Sequence, residues 1–484
     1  MASAPKPTVT LNPQALGEYQ AYAFHRGWLL SRESAPPCLP DNWQQQTLGI
    51  NRLWLSPAIN AEQCANVWVL GWVFDVRDPK LSNRQVAENL AEAWGDSATA
   101  FMAQLAHCNG SFTVLAEREG AVSIYCDATA MAPVFYHSGL QVAGSHSALV
   151  AASAAGSDTI ATLPLYAKFG SPGRLTPYRD VYSLNPGLTL HLSRGLERVR
   201  FLQAPPDIPY EAVLEEFSQL LQNSMQAFAL RKKLVLSLTA GSDSRTALAA
   251  ARGLKGIEYF TYYRSDSVDT DKVDKVIAER IAREHKLEHS LLMLREQASP
   301  EAYKKLCKLN SHYSHIPVAS YHYFLRWGEQ DVFHVRSNLS EIGRAFYSYR
   351  MPGPDPRPAN AETALGCYLS DKMRNSKQFG PKVEQAYQSA FDDYAVSSQL
   401  PDIHPNYDYR DIFYWEHRMG VWHSQVVAES SPAFESLSVY NCDRILQLML
   451  MPDFKQRQTK QLMLHSISKN WPKLLDVPVN PKEV

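Results

Sequence analysis

The stretch LVLSLTAGSDSR, residues 234–245, decides the fold of the second half of this chain. Its first five residues, Leu234–Leu238, form a short and mostly apolar run typical of a buried strand. A turn of small residues follows, and Asp243 stands where a helix is expected to begin, at a residue type favoured near helix N-termini. The pattern therefore predicts a strand, a tight turn and a helix.

Alternating elements surround this stretch. Glu211–Leu230 has helical spacing of apolar residues, Tyr259–Tyr263 resembles a strand, and Val273–His285 resembles a helix. Strands that alternate with helices indicate a parallel sheet covered by helices on both faces. Ligands of such sheets bind at the carboxyl ends of the strands, which places chemistry at residues 239–245.

The turn itself suits a bound pyrophosphate with a metal ion. Small side chains let backbone N–H groups approach an anion, and a helix N-terminus adds partial positive charge. The hydroxyls of Thr239 and Ser244 can donate hydrogen bonds, and Asp243 is a suitable ligand for Mg²⁺. It is not a Walker A loop, because the chain contains no Gly-Lys dipeptide. A generic polar turn with a helix cap is the alternative interpretation.

The rest of the chain divides at a proline-rich linker. Three prolines occur between Pro205 and Pro209, which excludes a helix interior or a central strand there. Residues 1–204 are strand-rich with two helical segments, which predicts an α+β domain, and residues 205–484 form the second domain. From about residue 300 the pattern is mostly helical, with a proline-rich loop at Met351–Pro358 and an aromatic-rich helix at Asp411–Glu429.

Bulk composition limits the function classes. The chain has 484 residues and a formal net charge of -1, so it shows no basic excess that would favour nucleic acid. Its seven cysteines are scattered without a CxxC pair, which argues against zinc ribbons and disulfide frameworks. No signal peptide and no membrane-spanning apolar run are present, so a cytoplasmic protein without a membrane partner is expected.

The loop Thr239–Ser244 resembles the SGGxDS loop of ATP-pyrophosphatases, and the whole chain resembles the asparagine synthetase family. Segments of both halves match family motifs in order and spacing. They are Leu105–Leu115, Ile124–Tyr136, Gly144–Ser147, Ser171–Gly187, Asp274–Ala282, Asn338–Tyr347 and Phe454–Ile467.

The resemblance implies a fold and a set of site residues. The expected fold is a glutaminase-like α+β sandwich of the N-terminal-nucleophile type, followed by an adenine-nucleotide α-hydrolase-like domain with a helical C-terminal part. The implied cofactors are ATP and Mg²⁺. Asp243 and Glu341 would hold the metal, Glu341, Lys460 and Arg344 would be catalytic, and Arg336 is a further candidate phosphate clamp. The residues expected around ATP and pyrophosphate are Ser237, Thr239, Ala240, Gly241, Ser242, Asp243, Ser244 and Arg245.

Four departures from the family pattern bear on activity. Ala2 follows Met1 where the glutaminases carry a nucleophilic cysteine, so no ammonia release from glutamine is expected. Ala240 replaces the first glycine of the loop, and Ser340 replaces the aspartate before Glu341. Ser337 stands where β-lactam synthetases, which share this two-domain plan and lack the cysteine, place a tyrosine.

These features predict an AMP-forming ligase that adenylates a carboxylate and forms an amide. The partners would be a small-molecule or peptide acid and an amine donor, which is ammonia, another amine or an amine in the same substrate, as in lasso-peptide cyclases. Two alternatives stay open: a nucleotide-binding scaffold without activity and a tRNA-modifying enzyme. The sequence also leaves open whether the chain forms a homodimer.

Overall fold

The computed structural model describes residues 13–33, 36, 38–139, 141–154, 170–264, 269–295, 299–312, 315–352 and 356–482. The fold is mixed α/β: two antiparallel sheets are followed by a parallel sheet and a helical C-terminal part. Ala2 and part of the proline-rich loop 351–358 lie outside the described residues. Within those ranges, every helix is too short or too polar to cross a bilayer.

The first part contains two six-stranded antiparallel sheets, with strand orders β10-β8-β9-β1-β3-β2 and β12-β11-β7-β6-β5-β4. The strands are β1 (Trp28–Ser31), β2 (Gln44–Leu48), β3 (Asn51–Leu55), β4 (Ala61–Cys64), β5 (Val67–Asp75), β6 (Cys108–Arg118), β7 (Ala121–Cys126), β8 (Phe135–His137), β9 (Val142–Gly144), β10 (Val181–Ser183), β11 (Leu188–His191) and β12 (Gly195–Arg198). The helices are α1 (Asn83–Asp96), α2 (Ala98–Leu105) and α3 (Ser147–Ser153), with a 3-10 segment at Pro13–Tyr22.

The two faces of β5 explain this layering. Trp68 and Leu70 pack with β1 and β3 between the sheets. Val69 and Val73 pack on the opposite face against α1 and α2. Because successive side chains of a strand point to opposite faces, a strand buried on both sides must be apolar throughout. The α+β arrangement expected for this part of the chain is confirmed.

The parallel sheet has the strand order β15-β14-β13-β16-β17, with β13 at its centre. Its strands are β13 (Lys233–Ser237), β14 (Glu258–Tyr263), β15 (His289–Met293), β16 (Val332–Val335) and β17 (Glu435–Leu437). The helices of this region are α4 (Tyr210–Ala229), α5 (Ser242–Ala250), α6 (Asp269–His285), α7 (Glu301–Asn310) and α8 (Pro317–Trp327). Leu234 and Leu236 pack against α4, α5 and α6, whereas Val235 faces α8, so helices cover both faces as predicted.

The remaining chain is mostly helical. Its helices are α9 (Ala361–Tyr368), α10 (Asp371–Arg374), α11 (Pro381–Ser397), α12 (Tyr409–Phe413), α13 (Ser424–Ser430), α14 (Asp443–Leu450), α15 (Phe454–Gln458) and α16 (Gln461–Asn470), with 3-10 segments at Asn338–Arg344, Phe346–Tyr349, Leu400–Asp402 and Pro472–Leu475.

Two predicted helices differ from the structure in this part. The helix expected at Asp411–Glu429 is a continuous helical run, but Tyr414–His423 is wound as a π-helix between α12 and α13. The segment Phe454–Ile467, whose resemblance to a helix of the family predicts one continuous helix, is interrupted at Lys460, whose φ of 59° is left-handed and cannot continue an α-helix.

A buried ion pair joins the first part of the chain to the last. Arg198 Nη1 of β12 lies 2.7 Å from Glu416 Oε1 of the π-helix, and the two side chains are 1% and 0% exposed. Asn185 also donates to Glu416 over 2.9 Å. Gly187 lies directly against the pair, because a Cβ built there would come within 1.9 Å of Glu416 Oε1.

Candidate functional site

The loop between β13 and α5 has the geometry of an anion site. Ser237 ends the strand, Gly241 takes the N-cap position, and Ser242 begins the helix without a side-chain cap. The Thr239 amide donates to Ser244 Oγ over 3.1 Å, and the two hydroxyls lie 3.0 Å apart. These bonds hold the loop closed and leave the first-turn amides of α5 uncapped, which is the arrangement that binds phosphate groups.

Ala240 differs from its neighbours in the loop. Its amide donates to Asp274 Oδ1 of α6 over 2.8 Å. Burial raises the pKa of Asp274, although this hydrogen bond acts in the opposite direction. The Ala240 methyl is buried in the core, so the alanine is accommodated without opening the loop. One loop amide is thus occupied by a carboxylate, and anion binding falls to the first turn of α5.

Four charged groups predicted from the sequence converge beside this turn. Arg344 Nη1 lies 2.5 Å from Asp243 Oδ2 and 3.7 Å from Glu341 Oε1, so one guanidinium bridges both carboxylates. Burial lowers the pKa of Lys460, and the charge of Arg344 lowers it further, while Asp243 and Glu341 act in the opposite direction. The site therefore combines two carboxylates and two cations at the N-terminus of a helix.

Two tyrosines that sequence reasoning did not identify contact the residues that carry these carboxylates. Tyr414 of the π-helix donates its hydroxyl hydrogen bond to Glu341 Oε2. Tyr440 donates to the backbone carbonyl of Asp243 over 3.0 Å. Both are remote from the loop in sequence. Tyr414 lies in the aromatic-rich helix predicted at Asp411–Glu429, a pattern that also fits core packing, and the sequence around Tyr440 carries no comparable signal.

The carboxylates fit a nucleotide-bound Mg²⁺ better than a protein-only metal centre. No group of three or more His, Cys, Asp or Glu side chains in the described ranges could hold a metal ion. Mg²⁺ usually takes one or two carboxylates together with substrate phosphates and water, which Asp243 and Glu341 can supply. Ser340 is fully buried and offers no carboxylate to such a metal ion. Arg344 and a metal ion would compete for the same oxygens.

Two arginines predicted as phosphate clamps lie elsewhere. Arg245 is fully buried, and its guanidinium donates to the carbonyls of Ala240, Leu474, Val477 and Pro478. It therefore braces the loop against residues 474–478 and does not face a ligand, which corrects the prediction. Arg336 follows β16 and lines a separate cavity instead of joining the Asp243 cluster.

Known proteins resemble this chain only weakly, and only in structure. No family model matches the chain, and no curated protein matches it in sequence. An NH3-dependent NAD synthetase from Campylobacter jejuni subsp. jejuni NCTC 11168, solved with a nitrate ion, is 12% identical over 41% of this chain and 100% of its own, with a TM-score of 0.22. A structure of the allosteric regulatory enzyme of purine biosynthesis is 13% identical over 51% of this chain and 62% of its own, also with a TM-score of 0.22. At these scores the likenesses carry no argument about function.

Proposed function

We propose that this protein is an ATP-dependent, AMP-forming ligase that adenylates a carboxylate and forms an amide with ammonia or another amine. The observation that supports this most is the convergence of Asp243, Glu341, Arg344 and Lys460 beside the uncapped N-terminus of α5. Anions bind at such termini, and cations beside them suit a leaving group that gains negative charge.

The first step would form an acyl-adenylate. A substrate carboxylate oxygen attacks the α-phosphorus of ATP, the bond to the bridging oxygen breaks, and pyrophosphate leaves. The first-turn amides of α5 and the Thr239 and Ser244 hydroxyls would bind the departing phosphates, and Arg344 and Lys460 would neutralise their charge. A bound Mg²⁺, held by Asp243 and Glu341, would supply further charge neutralisation.

The second step would form the amide. A neutral amine attacks the acyl carbonyl carbon, AMP leaves with the electrons of the C–O bond, and the amine nitrogen loses a proton. Lys460, in its charged form, would stabilise the oxyanion of the tetrahedral intermediate.

The test is to identify the nucleotide products. Purified protein is incubated with ATP, Mg²⁺ and a small-molecule extract of its source cells, and the products are separated by chromatography. AMP and pyrophosphate are expected from the wild type and from Asp96→Asn, an exposed control, but not from Asp243→Asn. ADP and phosphate, or equal AMP formation by Asp243→Asn, would contradict the proposal.

A scaffold that binds nucleotide without turnover is the second candidate. It is favoured by one observation: Arg344 already satisfies Asp243 and Glu341, and Asp274 occupies the Ala240 amide. If ATP binds with an affinity that depends on Arg344 but no extract fraction yields AMP, this candidate replaces the ligase.

A further inference from the structure

A cavity of about 110 Å³ lies where the antiparallel sheets meet the parallel sheet. Trp28 at the start of β1 and Leu70 of β5 line it from the first part of the chain, and Ser436 of β17 lines it from the second. An apolar cavity of roughly 150 Å³ accepts a benzene molecule, so this one has room for about five or six non-hydrogen atoms.

The charged groups around this cavity are matched within the protein. Arg26 Nε lies 3.0 Å from Glu435 Oε1, and Lys232 Nζ lies 3.4 Å from the same oxygen. Burial lowers the pKa values of His25 and His146, that of His146 to about 3, so both imidazoles are neutral at physiological pH. The described residues that line the cavity therefore offer an ionic ligand neither a free cation nor a free carboxylate.

Three polar groups of the lining residues have no hydrogen-bond partner in the part of the chain that the structure describes. They are Trp72 Nε1, Ser431 Oγ and Ser436 Oγ, and Ser436 is only 4% exposed. Buried polar groups without partners are unfavourable and therefore rare in folded proteins. An indole N–H can only donate, so Trp72 requires an acceptor, and each serine hydroxyl can turn towards the cavity by rotation about χ1.

The other walls of the cavity are mostly apolar. Trp28, Leu70, Phe434 and Leu437 are buried side chains that line it. Sites for small molecules typically combine apolar walls with a few placed polar groups. Unpartnered donors on uncharged, apolar walls are a chemistry that recognises a carbonyl oxygen on a small carbon skeleton.

We propose that this cavity is a binding site for a small, uncharged organic molecule that carries a carbonyl oxygen. The oxygen accepts hydrogen bonds from Trp72 and from Ser431 or Ser436, and the carbon skeleton lies against the apolar walls. Because the ligand contacts both β5 and β17, its binding stabilises the contact between the antiparallel sheets and the parallel sheet. The inference does not depend on the proposed ligase activity.

The test is direct binding to the full chain without nucleotide. Cyclopentanone is titrated by ligand-observed NMR beside benzene, which has no acceptor oxygen, and beside cyclopentylammonium and glutamine, which are charged. We expect cyclopentanone to bind the wild type and the exposed control Ser193→Ala equally. It should bind Ser436→Ala and Trp72→Phe roughly three- to tenfold more weakly, the usual effect of one lost hydrogen bond. Benzene should bind Ser436→Ala as it binds the wild type, because no apolar wall is removed.

A variant that fills the cavity locates the binding site. Ala428 of α13 lines the cavity, and Ala428→Phe should abolish the binding of cyclopentanone and benzene alike. Cyclopentanone should also raise the Tm of the wild type, since it binds the folded state. The Ser436 hydroxyl has no partner, so Ser436→Ala should leave the Tm of the free protein unchanged or higher. Circular dichroism of every variant excludes misfolding.

Four results would overturn the inference. Cyclopentanone does not bind the wild type, or it binds Ser436→Ala and Trp72→Phe as tightly as the wild type. Alternatively, glutamine or cyclopentylammonium binds as tightly as cyclopentanone, which would show that the site recognises a charged ligand. Undiminished binding of cyclopentanone to Ala428→Phe would place its site elsewhere.

Discussion

Burial lowers the pH at which the side chain of Lys460 loses its charge. Its pKa lies below the usual 10.5 because burial and Arg344 both disfavour the charged form. The folded protein therefore loses this proton at lower pH than the unfolded chain. Between the two pKa values the unfolded state binds more protons, so the contribution of Lys460 to the free energy of unfolding rises with pH.

We expect AMP formation to decline on the alkaline side below pH 10.5, because the charged form of Lys460 is the one that stabilises an oxyanion. Lys460→Arg should move this decline to higher pH, since a guanidinium stays protonated. The pH–rate profile of the exposed control Lys455→Arg should match the wild type. An unchanged profile for Lys460→Arg would remove Lys460 from the mechanism.

Arg344 bridges the two carboxylates, and in the proposed mechanism it would also neutralise the phosphates. Arg344→Gln should lower the rate of AMP formation by roughly 100–1,000-fold, the loss usual when one oxyanion donor is removed. Arg344→Lys should be intermediate, because an ammonium keeps the charge but does not present the paired N–H donors of a guanidinium to phosphate oxygens. Steady-state rates beside the exposed control Arg374→Gln provide the measurement, and a loss below threefold would contradict this role.

The charged residues of the site were accessible to sequence reasoning, whereas their supports were not. Asp243, Glu341, Arg344 and Lys460 lie in segments that resemble family motifs, and the structure brings them together. Tyr440 reaches the Asp243 carbonyl only because the chain returns 197 residues later. No local pattern records such a contact, since it depends on the packing of elements far apart in sequence.

At the scale of elements, the loop is stabilised by the 3-10 segment Pro472–Leu475 and the residues after it. Replacing Arg245 with Met should lower the free energy of unfolding by about 2–4 kcal/mol, because several buried carbonyls lose their donor. Chemical denaturation measures this loss, with Arg252→Met as a control whose guanidinium makes a more exposed bond to Asn470.

Hydrogen exchange should also report faster exchange at Ala240–Ala247 in Arg245→Met. If the stability and the exchange of this variant equal those of the wild type, the brace has no role in holding the loop.

The sequence predicted the regular elements around the loop well, because their apolar periodicity follows directly from burial. β13, α4 and α6 lie within a few residues of their predicted positions. The direction of Arg245 was not predictable, since a guanidinium beside a phosphate loop has the same local signal whether it faces a ligand or a carbonyl. The break at Lys460 was missed because its left-handed backbone occurs at a lysine and not at a glycine.

At the scale of the whole molecule, the Arg198–Glu416 pair is a fully buried connection between the antiparallel sheets and the C-terminal helical part. Glu416→Leu should lower the free energy of unfolding by about 3–5 kcal/mol, because it leaves a buried guanidinium without its partner. The double variant Arg198→Met with Glu416→Leu should lose less than the single variant, since no charge is then left buried.

Urea denaturation of the two single variants and the double variant gives the coupling energy. The exposed pair Arg84–Glu88 is the matched control, and its removal should cost less than about 1 kcal/mol. Strictly additive losses at Arg198 and Glu416 would contradict the coupling.

The brace formed by Arg245 has a consequence for the order in which the protein is made. After a ribosome has added Arg245, it must add 232 more residues before the carbonyl of Val477 exists. At about 5–20 residues per second this takes roughly 10–50 s, and β14 to β17 are all synthesised during that interval. We therefore expect the Thr239–Ser244 loop to be completed late in translation, after every strand of its sheet has been made.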